Sequence, residues 1–150
     1  MARDILIVDD EADIRELIGG LLEDDGYEPR EAADADGALA VIRQRKPSLI
    51  ILDVWLQGSR LDGIELLDEF RALDPDLPVI VISGHGTIET AVAAIRKGAY
   101  DFLEKPFKSD KLLLTVKRAL ETSRLRSENA DLRARTQAQS TLIGDSSGIL

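Results

Sequence analysis

At 150 residues, 44% hydrophobic and 31% charged, the chain can form one domain with a proper core plus a short appendage. The absence of cysteine excludes disulfides and thiolate metal sites, which makes a cytoplasmic address the plain reading. A formal net charge of −9 argues against this stretch gripping nucleic acid by itself, and neither a membrane-length apolar run nor a signal-peptide layout is present. The charge is uneven. Acids outnumber bases 24 to 15 through Leu120, whereas Glu121 to Leu150 balances at four each. Residues 1–120 are therefore expected to form one acidic domain, with something different after it.

In chain order, Ile5–Val8 is short, apolar and made of Ile, Leu and Val, as a strand covered on both faces should be. Ile14, Leu17, Ile18, Leu21 and Leu22 then repeat with helical period. Glu28–Ala32 is a poorer strand candidate, expected at a sheet edge. Leu39 and Ile42 mark a second helix, and Pro47 closes the segment after it. Leu49–Leu52 is the next buried strand, followed by a helix through Ile64, Leu67 and Phe70 that Pro75 closes. Val79–Ile82 is a strand. Ile88, Ala91, Val92 and Ile95 form a helical stripe, with Gly98 placed to stop it. A weaker strand at Tyr100–Leu103 precedes a last helix carrying Leu112, Val116, Ala119 and Leu120. This alternation predicts an α/β fold: a five-stranded parallel sheet with helices on both faces and right-handed crossovers.

Past Glu121 the apolar stripe thins to Leu125 and Leu132, with Thr122 and Asn129 at the alternate seam positions. Residues 121–140 read as a helical linker, either an exposed extension or a weak two-stranded coiled coil that would favour a homodimer. Beyond Arg135 the chain turns polar and glycine-bearing.

The chemistry is concentrated after the strands. Asp9 and Asp10 follow the first, Asp53 the third and Ser83 the fourth, and the fifth runs into Lys105. Carboxyl ends of parallel strands line one crevice, so these groups should converge there. Crowded carboxylates repel unless a cation is present, and an all-oxygen, partly hydrated set suits Mg²⁺. Such an ion, with an ammonium and a hydroxyl, would clamp the oxygens of a transferring phosphoryl group, and a carboxylate among them is a competent nucleophile. Any one of these acids alone would read as a turn or cap residue. Four strand ends together carry more weight.

The segments LIVDDE, LDVWLQGSRLDG, VISGHG and GAYDFLEKPF, in this order, resemble the signature segments of bacterial response-regulator receiver domains over roughly residues 3–120. The resemblance implies a flavodoxin-like, CheY-like fold. It implies Asp53 as phosphoacceptor, and Asp9, Asp10, Asp53 and the backbone carbonyl of Trp55 as Mg²⁺ ligands, Asp10 directly. Ser83 would sense the phosphoryl group, Lys105 would pair with it, Phe102 would be the switching aromatic, and the Lys105–Pro106 bond would be cis. A sensor histidine kinase would donate the group. The form WLQGSRLDG, with Gln57 where a proline is usual and Asp62–Gly63 two residues late, is similar to NtrX-type nitrogen regulators. Those proteins imply an NtrY-like kinase, a following ATPase domain whose opening residues 141–150 resemble, and DNA contact only through domains beyond residue 150. The chain is thus expected to be the N-terminal part of a longer transcriptional regulator.

Two other readings compete. A phosphatase with an aspartyl-phosphate intermediate shares this set but needs a general acid two residues after the nucleophile, where Trp55 stands. An interaction module with vestigial acids would be expected to lack a member of the set, and none is missing. His85, the only histidine, reads as a solvated loop residue or one shaping access to Asp53, and Glu11 as a first-turn helix acid.

Overall fold

The computed structural model describes residues 3–54, 63–84 and 88–122. Trp55, His85, the loop between Val54 and Gly63, and everything beyond Thr122 lie outside them, including most of the expected linker and the ATPase-like opening.

The elements are β1 (Asp4–Val8), α1 (Ala12–Asp24), β2 (Glu28–Ala32), α2 (Ala35–Gln44), β3 (Leu49–Asp53), α3 (Gly63–Leu73), β4 (Val79–Ser83), α4 (Ile88–Arg96) and β5 (Asp101–Glu104). A last helix, α5, is described over residues 109–122. The strands form one parallel sheet in the order β2-β1-β3-β4-β5.

Strand alternation explains why every residue of β3 and β4 is buried. Leu6, Val8, Ile50, Leu52, Val79 and Val81 point to one core, shared with Leu39 of α2, Leu66, Leu67 and Phe70 of α3, and Ala94 of α4. Ile5, Ile7, Leu49, Ile51, Ile80 and Ile82 point to the other, with Ile18 and Leu22 of α1 and Leu112, Val116 and Ala119 of α5. The polar sequence EPREA is tolerable in β2 because it is an edge strand, where Pro29 removes no essential ladder bond. No described helix is long and apolar enough to cross a membrane.

Gly98 ends α4 as its position predicts. Its φ of 101° is left-handed, its N–H donates to the Ile95 carbonyl at 3.0 Å, and the Ala99 N–H donates to the Ala94 carbonyl at 3.0 Å. This is a Schellman cap, and a Cβ there would meet Arg71 Nε at 2.6 Å.

Three details differ from expectation. β5 spans Asp101–Glu104, one residue later than Tyr100–Leu103, although the Tyr100 N–H already donates to the Val79 carbonyl at 2.7 Å. Leu17 is more than half exposed, because the axis of α1 sets Ile18, Gly19 and Leu22 against the sheet instead. In α4, Val92 and Ile95 face outward and the small Ala94 is the fully buried contact. Periodicity identified these helices, but their rotation about the axis depends on the surface they meet.

Candidate functional site

β1, β3, β4 and β5 are consecutive neighbours, so their carboxyl ends deliver side chains to one rim. Ladder contacts continue past the strands and hold that rim in register. The Asp9 N–H donates to the Ala32 carbonyl at 3.1 Å, the Val54 N–H to the Ile82 carbonyl at 3.1 Å, and the Lys105 N–H to the Ser83 carbonyl at 2.8 Å.

Asp9 and Ser83 are fully buried, Asp53 nearly so, and Asp10 half-buried. One carboxylate oxygen from each of Asp9, Asp10 and Asp53 lies within 4.8 Å of the other two. Lys105 reaches across from β5, its Nζ donating to Asp9 Oδ2 at 3.0 Å and to Asp53 Oδ2 at 3.2 Å. Burial alone would lower the pKa of this ammonium, but the carboxylates of Asp9 and Asp53 outweigh it and hold the pKa above the ordinary lysine value. The Lys105–Pro106 bond is cis.

Three acids against this ammonium leave about two formal negative charges, in a pocket whose donors near the charge are all hard oxygens. The donor set therefore fits a hard divalent cation: the charge it would bring matches the excess, and two of the acids are already out of water.

Ser83 ends β4 at the same rim and is fully buried. Alternation puts it on the face of Val81 and Phe102, whereas Asp53, Asp9 and Lys105 follow the opposite parity. Phe102 is half-buried against the core that contains Val81, two residues back along β5 from Glu104, the register partner of Ser83. The structure thus joins Asp9, Asp10, Asp53 and Lys105 directly and sets Ser83 and Phe102 alongside.

Two residues were missed by the sequence reading. Gly63 packs onto the backbone of Asp53 and Val54 so closely that a Cβ would lie 2.4 Å from the Asp53 carbonyl oxygen and 2.2 Å from the Val54 Cα. Its N–H donates to the Val54 carbonyl at 3.0 Å, anchoring α3 to the end of the acceptor strand. The Asp62–Gly63 pair was its visible signal. Arg15 donates to the Asp9 carbonyl at 2.7 Å. Its signal was fainter: a base near the start of a helix, where the dipole does not favour one. Glu11 was read as a first-turn acid; it is the N-cap residue of α1, and its N–H donates to Asp9 Oδ1 at 2.9 Å.

Residues 5–117 match the family model of the response regulator receiver domain. The nitrogen assimilation regulatory protein NtrX of Azorhizobium caulinodans is 62% identical over 149 residues, which are 99% of this chain and 33% of that protein. The chain spans about a third of the length of the curated relatives it matches. The crystal structure of the receiver domain of NtrX from Brucella abortus is 66% identical with a TM-score of 0.77, covering 79% of this chain and 99% of that one. The solution structure of the beryllofluoride-activated NtrC4 receiver domain dimer is 43% identical with a TM-score of 0.75, covering 80% and 98%. The family match runs from the first core strand into the last helix, on a fold that solved receivers share, and on that ground the chain belongs to the response regulator receiver domain family.

Proposed function

We propose that this chain accepts a phosphoryl group on Asp53 and uses it to switch an output carried by the rest of a longer regulator. The observation that carries this reading is the placement of the nearly buried Asp53 in the acid cluster, with the Lys105 ammonium 3.2 Å from one of its oxygens. A carboxylate oxygen of Asp53 attacks phosphorus, the bond from phosphorus to the donor breaks, and the donor leaves with its electron pair. The donor is the phosphohistidine of a sensor kinase, of the NtrY-like kind given the resemblance to NtrX, or a small acyl phosphate. Asp9, Asp10, Asp53 and the Trp55 carbonyl would hold Mg²⁺, which when bound offsets the charge of the acids and of the phosphoryl oxygens.

Lys105 already touches Asp53, so it can follow the incoming oxygens without a large movement. Phosphorylation adds roughly −1.5 to −2 charges. Ser83 and Lys105 bind that charge, and Phe102 turns toward the space Ser83 leaves, altering the face made by α4, β5 and α5. The switch shifts only by the difference in phosphoryl affinity between its two states. A turning-over phosphatase is disfavoured because Trp55 supplies no proton to a leaving group.

The same reading makes the protein cytoplasmic and dimeric on activation, with residues 121–140 as linker and an ATPase domain from residue 141. DNA contact then lies in later domains, and the output is transcription in nitrogen metabolism, as the name of the Azorhizobium relative suggests. Incubation with acetyl phosphate and Mg²⁺ should add one phosphoryl mass, lost in Asp53→Asn and on chelation. Undiminished labelling of Asp53→Asn would remove the reading.

A further inference from the structure

Arg15 touches the acid cluster from outside, and the phosphoryl chemistry above gives it no part. Its side chain is only 18% exposed, although it projects from the first turn of α1. Nη1 donates to the backbone carbonyl of Asp9 at 2.7 Å, and Nε to Glu31 Oε1 at 3.1 Å on the edge strand. A charge-assisted bond to a carbonyl is stronger than a neutral one, and the planar fork fixes its direction.

That carbonyl belongs to the peptide plane joining Asp9 to Asp10, so holding it sets the direction in which the chain leaves toward the Asp10 Cα. Asp9 needs no further help. Its N–H is bonded to Ala32, its Oδ1 to the Glu11 N–H and its Oδ2 to Lys105. Asp10 lies past the end of β1, between Asp9 and the N-cap residue Glu11 of α1. A guanidinium near the site would, through charge alone, repel a cation, and Glu31 offsets much of that charge. Geometry and charge thus predict opposite signs for removing Arg15.

We infer that Arg15 is a positioning residue: by holding the Asp9–Asp10 peptide it aims the Asp10 carboxylate at Asp9 and Asp53 to complete a divalent-cation site. The inference rests on the reading that these acids hold Mg²⁺.

Mg²⁺ titration of the whole chain tests it, followed by calorimetry and by emission from Trp55, the only tryptophan. Arg15→Lys keeps the charge and loses the fork, and Arg15→Met loses both. Both should weaken Mg²⁺ binding by about tenfold, the lower end of what losing an outer-shell partner costs. Metal-free unfolding midpoints are measured alongside, and should Arg15→Met fold poorly, Arg15→Lys carries the test. Unchanged Mg²⁺ affinity in Arg15→Lys overturns the inference, as does tighter binding in Arg15→Met or a lower midpoint at unchanged affinity. If instead the parent chain shows no saturable binding, or Asp10→Ala leaves it intact, the acid-site reading itself falls and takes this inference with it.

Discussion

At the N-terminal end of the sheet, Asp4 is met by Arg30 at 2.9 Å and Arg45 at 3.3 Å, Arg45 reaches Glu28 at 3.4 Å, and Lys46 pairs with Asp74. At the opposite end, Asp9, Asp10 and Asp53 share the ammonium of Lys105, while the neighbouring Arg15 and Glu31 cancel each other. Three acids therefore face three bases at one end, and three acids face essentially one at the other. The first arrangement is closed. Arg30 also donates to the carbonyls of Val41 and Arg45 at the end of α2, so it ties a helix terminus to the edge of the sheet with its charge already matched. The second is incomplete without added positive charge, and that separates a site from a clamp built of the same residue types.

Removing an acid should therefore have opposite effects at the two ends. The largest effect is expected at the balanced end. Asp4→Ala strips the half-buried Arg30 of its carboxylate, and urea unfolding should show a loss of about 2–3 kcal/mol, below the ~3–5 kcal/mol of a wholly buried pair because both side chains keep some water.

At the other end the sign should reverse. Two carboxylates with oxygens within 4.8 Å of each other repel by at least about 3 kcal/mol at an effective dielectric near 20, an amount that Lys105 and solvent partly offset. Metal-free Asp10→Asn should accordingly be more stable than the parent chain by about 1 kcal/mol. Mg²⁺ at ten times its dissociation constant should stabilise the parent by about 1.4 kcal/mol and the variant by little, narrowing or reversing the order. A metal-free loss of stability in Asp10→Asn would mean the two ends are not different in kind.

The smallest effect lies in alkali. Because the Lys105 pKa is raised in the folded state, its contribution is fully present below the ordinary lysine value of ~10.4 and is lost as pH rises through the higher folded value. Metal-free chain should thus lose stability above about pH 10.4 more steeply than Lys105→Met. Parallel pH profiles would show that the ammonium gains nothing from Asp9 and Asp53.

The balanced end was invisible in the sequence. Asp4, Arg30, Arg45 and Asp74 are scattered singly through polar stretches, and only the register Asp4↔Glu28 and the return of α2 bring the first three together. The acid end was legible because its residues follow strands that announce themselves as short apolar runs, and parallel strands must present those ends to one rim. Arg15 and Gly63 fell between these cases. Each acts on a backbone carbonyl, and no residue pattern records which carbonyl a side chain or a bare Cα will reach.

Local pattern by itself determined the alternation of five strands and five helices, the edge position of β2, the cap at Gly98 and the membership of the acid cluster. The first three depend on period, residue volume and φ preference within a few neighbours, and the last on parallel strands presenting their carboxyl ends to one rim. Only the tertiary structure decided that Leu17, Val92 and Ile95 face outward while Ala94 is buried, and that Arg15 holds Asp9. Those outcomes depend on how each helix rolls against the sheet and how each strand pairs, and such contacts are made between residues distant in sequence.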